Sequence, residues 1–316
     1  MEYRTLGNTG ISVSRLCFGS LVMGPLQRNL PVDEGAEVLA HALLRGVNFV
    51  DTAELYGTYK YIRAAAKLAG GYPVIATKCY AYDRESARGS IEKARAELDI
   101  DVIDIFMLHE QESRLTLDGH RRALEAFIEA KQKGIIRAVG VSTHYIDVVR
   151  AISEMPSVEV VHPLINAAGL GIQDGSASEM LLAAEAAHSA GKGVYAMKIF
   201  GGGNLLRDYT NCFTYIAKRP FVDSIAIGMQ SRAEVDMNID ALNGVFPDEH
   251  GMSEVILHEK VVHIDSWCAG CGKCAAKCGQ GAIAVNPGGM AEVSARKCIL
   301  CGYCAGACPE FAIKIH

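Results

Sequence analysis

Cys298, Cys301, Cys304 and Cys308 fall in a C-x2-C-x2-C-x3-C run closed by Pro309. At one constant offset toward the N-terminus, Cys268, Cys271, Cys274 and Cys278 repeat the spacing. Apolar Ala282, Ile283 and Val285 map by that offset onto Ala312, Ile313 and Ile315, so the segment is an internal repeat. Thiolates are soft ligands suited to iron–sulfur clusters or zinc. Structural zinc takes paired C-x2-C units, whereas three cysteines at x2 spacing crowd each run here, which favours clusters. Gly279 stands after Cys278 where the other run has proline, which removes no ligand.

A second set of residues suits proton and hydride chemistry. Asp51 and Tyr56 lie in "DTAELYG", Lys78 in "IATK" and His109 in "MLHE", each at or just after a short apolar run. A hydride arriving at a carbonyl carbon leaves charge on oxygen, which needs a proton donor. A phenol titrates near ~10 when unperturbed. An ammonium at Lys78 is expected to lower that value, with Asp51 holding the ammonium in place. His109 can donate to the developing oxyanion.

The elements that would position these groups alternate along the chain. From residue 16 to about 241, apolar runs (RLCFGS, VNFVDT, YPVIATK, VIDIFMLH, IIRAVGVS, VEVVHPLIN, GVYAMK, FVDSIAIG) read as strands buried on both faces. Amphipathic stretches separate them. Ala87, Ile91, Ala94 and Leu98 form one helical stripe; Ser176 and Glu179 form a capping box, and Gly191 ends that helix. Strands each followed by a helix predict an α/β fold, a (β/α)8 TIM barrel. The competing doubly wound open sheet lacks its Gly-rich first turn. Residues 1–15 read as a hairpin before the barrel. The expected division is 1–241 barrel, 242–260 turn-rich connector with some helix around Ser253–Lys260, and 261–316 a small α+β cluster domain.

Composition narrows the class. The chain has 316 residues, 50% hydrophobic and 21% charged, with a formal net charge of −5. That argues against general binding to nucleic acid or an anionic membrane. MEYRTLGNTG lacks a signal peptide's basic start and apolar core, and no apolar run approaches a membrane span of ~18 residues. A cytoplasmic location is the expectation. Of eleven cysteines, Cys17, Cys79 and Cys212 lie outside the two runs among apolar neighbours and read as inert core thiols.

Residues 1–241 resemble an aldo-keto reductase, from "LGNTGISVSRLCFGS" through "DTAELYG", "GVSTHY" and "AMKIFGGGNL" to "IGMQSRAEVDMNI". The resemblance implies a barrel that binds a nicotinamide dinucleotide without a Rossmann fold. It implies Tyr56 as general acid, Lys78 and Asp51 as its tuners, and His109 as carbonyl orienter. Ser142 and Asn166 match positions that hold the carboxamide end of the nicotinamide. Thr143 stands where Asn is common, His162 where Gln is common, and Met197 where an aromatic often stacks. Gly201, Gly202 and Gly203 follow as cofactor contacts. Near the adenine end Ser231 and Asn238 match, while Gly228 and Glu234 replace frequently basic residues. Only Arg232 is left there for a 2′-phosphate, so NADP and NAD both stay open. The stretch "YGTYKYIRAAAKLAGG" is short and lacks the family's usual Ser-Glu pair, which leaves the mouth more open or leaves room for the tail.

The tail resembles a bacterial-type two-cluster ferredoxin over about 55 residues. That resemblance implies one [4Fe-4S] cluster on Cys268, Cys271, Cys274 and Cys308, and the other on Cys298, Cys301, Cys304 and Cys278. Three functional readings remain open. The first is a reductase of a small-molecule carbonyl, or the reverse alcohol oxidation, using NAD(P)(H), whose clusters exchange electrons with a partner ferredoxin or flavoprotein. The second is a nicotinamide-independent redox enzyme with flavin or substrate in the barrel, fed single electrons by the clusters. The third is a non-catalytic electron-transfer subunit; clusters with a purely structural role are the bland alternative. The tail is expected on or beside the barrel mouth, near His109 and Tyr56.

Overall fold

The chain begins with an antiparallel hairpin, β1 (Tyr3–Thr5) against β2 (Ser12–Ser14). The structure, a computed structural model, describes residues 1–248, 262–298 and 303–315. Leu6, Ile11 and Val13 of the hairpin enter the core between the barrel strands, beside Cys17, Phe49 and Ile105. Backbone bonds from Asn8 to Gly191 and from Gly7 to the Asp223 carboxylate pin it there.

Eight parallel strands close the barrel: β3 (Leu16–Gly19), β4 (Phe49–Asp51), β5 (Val74–Cys79), β6 (Ile103–Gln111), β7 (Ile136–Thr143), β8 (Val160–Pro163), β9 (Gly193–Ala196) and β10 (Ser224–Gly228). They pair in sequence order, and β10 returns to β3. Their residues are almost all buried because helices cover the outside and side chains fill the inside. The open-sheet alternative is thereby excluded.

The helices follow their signals. The outer layer is built from α1 (Val32–Leu44), α2 (Tyr59–Ala69), α3 (Arg84–Leu98), α4 (Arg114–Gly119), α5 (Arg121–Gln132), α6 (Ile146–Ser153), α7 (Ala177–Ser189), α8 (Tyr209–Ala217) and α9 (Arg232–Leu242). In α3 the stripe of Ala87, Ile91, Ala94 and Leu98 is the buried face. In α7 the Ser176 hydroxyl accepts from the Glu179 N–H, and Gly191 follows the helix at φ +85°. No helix among the described residues is long and apolar enough to cross a membrane.

In the tail β11 (Val262–Ile264) pairs with β14 (Ile313–Ile315), and β12 (Ile283–Val285) with β13 (Ala291–Val293). Short helices Lys273–Lys277 and Tyr303–Gly306 lie within the two cysteine runs and carry Cys274 and Cys304. Ile283 and Ile313, equivalent in the repeat, are buried together with Cys274, Ala291 and Ala305. The helix expected around Ser253–Lys260 and the ligand expected at Cys301 lie outside the described residues.

The tail touches the barrel at the loops after β7, β8 and β9. Gln173 Nε2 donates to the Pro309 carbonyl at 2.8 Å. Phe311, 4% exposed, lies against Gly171 and Gly202. Both glycines have positive φ (+89° and +64°), and Phe311 itself sits at φ +51°, a conformation a bulky residue seldom holds without support.

Candidate active site and cluster-binding tail

Asp51 ends β4, Lys78 is the penultimate residue of β5, and His109 stands near the end of β6. Tyr56 lies on a single 3-10 turn, Glu54–Tyr56, after β4. Consecutive parallel strands thus bring the four side chains to the C-terminal end of the barrel. The register between β6 and β7 shifts between Leu108 and Gln111, and Glu110 takes φ +46°. Such an irregularity re-aims side chains at a strand end.

Lys78 is 2% exposed, and its Nζ donates to Asp51 Oδ2 and to the Thr52 carbonyl, both at 2.8 Å. Nζ also lies 5.0 Å from the centre of the Tyr56 ring. Burial alone would raise the Asp51 carboxyl, but Lys78, His162 and the Tyr195 hydroxyl (2.9 Å from Oδ1) hold it below its ordinary value. The Tyr56 hydroxyl is 3.4 Å from His109 Nε2. Burial pushes His109 down to about 3, so its imidazole is neutral near pH 7. Its Nδ1 is buried with no partner among the described residues.

The expected lowering of the phenol is corrected by this geometry. Burial, then the negative charge of Asp51, pushes Tyr56 well above its ordinary value. Lys78 is engaged by Asp51 and by the Thr52 carbonyl. Tyr56 is therefore a phenol that keeps its proton until charge develops beside it.

Several residues at the mouth carry no sequence signal beyond their place after a strand. Tyr80 stacks on His109 with ring centres 4.5 Å apart and donates to Glu110 Oε2 at 2.6 Å. Glu110 Oε1 is 3.7 Å from His144 Nε2, and His144 Nε2 is 3.0 Å from Lys198 Nζ. Lys198 Nζ lies 4.2 Å from the centre of the Phe311 ring. A continuous line of contacts therefore runs from the tail to Tyr56 through Lys198, His144, Glu110, Tyr80 and His109. In the sequence, the Glu after "MLH", the His after "GVST" and the Lys after "AM" were its only clues.

The positions matched to cofactor contacts are largely engaged within the protein. Ser142 Oγ accepts from the Glu110 N–H, and Thr143 Oγ1 donates to the Gln111 carbonyl. His162 stacks on Tyr195, and its Nδ1 is 2.6 Å from the Tyr195 carbonyl. The Asn166 amide bonds both the N–H and the carbonyl of Leu170. Met197 is partly buried, and its carbonyl accepts from the Ile165 N–H. Gly202 lies under Phe311, while Gly201 packs on Leu170 and Leu205 and Gly203 flanks Leu206. Ser231 caps α9 by accepting from the Glu234 N–H; Glu234 takes the Gln230 N–H. Asn238 bonds the Tyr209 hydroxyl and the Glu234 carbonyl, and Arg232 pairs with Glu37. Gly228 sits under Val22. In this docked arrangement Phe311 occupies the space beside Gly171 and Gly202, and the polar groups matched to the cofactor bond within the protein.

Of the tail's two expected ligand sets the first is brought together, while the second includes Cys301, which lies outside the described residues. Cys268, Cys271 and Cys274 of the first run line one cavity together with Cys308 of the second, alongside Gly270, Ala291 and Ile313. The Ala291 N–H points at Cys268 Sγ (3.4 Å) and the Ala282 N–H at Cys278 Sγ (3.3 Å), bonds that favour thiolate sulfur. Cys278 does not line that cavity; Cys298 and Cys304 are partly buried in the second half. Cys17, Cys79 and Cys212 are buried in the barrel, with thiols raised by burial.

Comparison with known proteins gives two family matches. The model of the aldo/keto reductase family matches residues 15–214, and that of a 4Fe-4S dicluster domain matches residues 260–309. L-galactose dehydrogenase of Arabidopsis thaliana is 25% identical over 194 residues, covering 57% of this chain and 60% of that protein. 6-Dehydroglucose reductase of Novosphingobium aromaticivorans is 29% identical over 171 residues, covering 48% and 54%. The chain thus spans between half and three fifths of the length of these curated relatives. Among solved structures, the holo form of an aldo-keto reductase from Bacillus halodurans superposes with a TM-score of 0.64 at 19% identity, over 81% of this chain and 95% of that one. A thermostable aldo-keto reductase gives 0.62 at 22%, over 81% and 98%. At that identity the structures speak for the fold alone.

Proposed function

Because the chain belongs to the aldo/keto reductase family, we propose that it is an oxidoreductase that interconverts a small-molecule carbonyl and its alcohol at Tyr56 and His109. The observation that carries this reading is the Tyr56 hydroxyl 3.4 Å from His109 Nε2, above the buried Lys78–Asp51 pair. A carbonyl oxygen between the phenol and the imidazole receives a hydrogen bond from Tyr56 and takes its proton as reduction puts charge on oxygen. Neutral His109 can donate to the same oxygen, with Tyr80 fixing its ring plane. Lys78 and Asp51 brace the floor.

Residues 261–316 are read as a domain that holds two [4Fe-4S] clusters, after a barrel of residues 1–241 and a connector. Cys268, Cys271, Cys274 and Cys308 would hold one cluster; Cys298, Cys301, Cys304 and Cys278 would hold the other. Such clusters supply single electrons, exchanged with a partner such as a ferredoxin or flavoprotein. Two of them match a two-electron reduction in number.

The source of reducing equivalents separates two forms of the proposal. NAD(P)H, the family's reductant, needs the segment around Phe311 to leave the groove. Reduction through the clusters, with substrate or a flavin in the mouth and that segment docked, takes two electrons from the clusters and two protons, Tyr56 giving the one to oxygen and solvent the one that forms the C–H bond. Phe311 filling the space beside Gly171 and Gly202 favours the second form.

Anaerobic turnover of a carbonyl panel tests the proposal, once with NADH or NADPH and once with chemically reduced protein. Alcohol is expected from at least one reductant, and Tyr56→Phe should lower the rate by ~10² to 10⁴-fold. Full activity of Tyr56→Phe, or no turnover with either reductant, would overturn it.

A further inference from the structure

Lys198 follows β9 with its backbone at φ +56°, an unusual conformation for a long side chain. Its Nζ carries three donors, yet its contacts are one imidazole nitrogen and one aromatic face. Neither neutralises its charge. His144 is 8% exposed and pushed by burial down to about 3, so it faces the ammonium as a neutral acceptor. No carboxylate lies within ion-pair distance of Nζ among the described residues. Glu110, the acid nearest along the line of contacts, is turned to Tyr80 and to His144.

Lys198 is partly buried, and an ammonium that gives up part of its water without a counter-charge is ordinarily paired. Here burial pushes Lys198 down to about 8, although Glu110, Glu310 and Asp265 act at longer range to raise it; Lys314 acts with burial. Contacts through His144, Glu110, Tyr80 and His109 join Lys198 to the candidate acid.

We propose that Lys198, backed by His144 and walled by Phe311, is the carboxylate-binding subsite of the barrel mouth, so that the substrate is an oxo acid or the corresponding hydroxy acid. The proposal rests on the carbonyl–alcohol reading for its reaction, but the binding claim stands separately from it. The ammonium would hold the carboxylate end, leaving the carbonyl to Tyr56 and His109. Phe311 makes the tail part of the pocket wall, so the cluster domain helps to define the substrate.

Calorimetric titration of the cluster-loaded protein, without oxygen, with oxalate, malonate and succinate tests this directly. At least one dicarboxylate should bind, its diamide should not, and Lys198→Met should weaken binding tenfold or more. Lys198→Arg keeps the charge and should stay within a few-fold. Phe311→Ala keeps the ammonium and should retain binding, which separates charge recognition from tail docking. Inorganic pyrophosphate serves as the phosphate arm. If it binds through Lys198 and no dicarboxylate does, the subsite is for phosphate and the assignment fails. Equal binding by wild type and Lys198→Met, or loss in Lys198→Arg as large as in Lys198→Met, also overturns it. Lys198-dependent binding without any carbonyl turnover would support the subsite while sinking the reaction.

Discussion

A methyl group on Gly171 would stand 1.9 Å from Cε2 of Phe311, so the loop after β8 and the tail meet where no side chain fits. Gly171 also sits at φ +89°, which an L-residue rarely adopts. Gly171→Ala is therefore expected to expel Phe311 rather than to absorb the contact. Hydrogen exchange read by mass spectrometry should show faster exchange in the peptide spanning residues 308–315, with β3 to β6 unchanged. Unaltered exchange there would mean that the tail is not held by this contact.

The Lys78–Asp51 pair gives a second prediction. Both side chains are buried, at 2% and 8% exposure, so removing one partner leaves a charge with no water around it. Asp51→Asn and Lys78→Met should each lower unfolding free energy by about 3–5 kcal/mol. The double variant should cost less than the two singles combined. Chemical denaturation of the three variants measures this. Additive losses would show that the pair does not act as a unit.

Cysteine replacement tests how the tail divides its ligands. Cys308 lines the cavity of the first run, although the sequence places it in the second. In the anaerobic electron paramagnetic resonance spectrum, Cys308→Ser should alter the same signal as Cys274→Ser. Cys278→Ser should instead match Cys304→Ser. Reversed grouping would overturn the crossed arrangement.

The barrel was legible because burial on both faces writes Val- and Ile-rich runs into the chain. Caps such as Ser176–Glu179 mark where helices begin. Asp51, Tyr56, Lys78 and His109 could be found for a related reason: a polar residue directly after such a run must stand at a strand end. The sign of the Tyr56 shift was not legible, since it is set first by burial and then by the Asp51 charge, and the fold decides both. Tyr195 was hidden inside the run "GVYAMK", where its hydroxyl reaches Asp51 across the barrel. Phe311 was hidden for another reason. Its seat consists of two glycines from distant loops, and nothing in its own neighbours announces them.

Acid sensitivity follows from three imidazoles kept neutral at the mouth. Burial holds His109 and His144 down to about 3 and His162 to about 4, against an ordinary value near 6.5. Between those limits the unfolded chain binds protons that the folded protein refuses, so stability falls as pH falls. Their contribution is complete above about 6.5 and is lost progressively toward about 3 to 4. Asp51, held low in the fold, adds a loss of the same sign at the acid end. Each imidazole contributes up to about 1.4 kcal/mol per pH unit within the window. Denaturant midpoints should therefore drop steeply between about pH 6.5 and about pH 4, and His144→Asn should flatten that slope by up to a third. A midpoint flat across the range would mean that these imidazoles take up protons in the folded protein, and neutral His109 would then be lost as the partner of Tyr56.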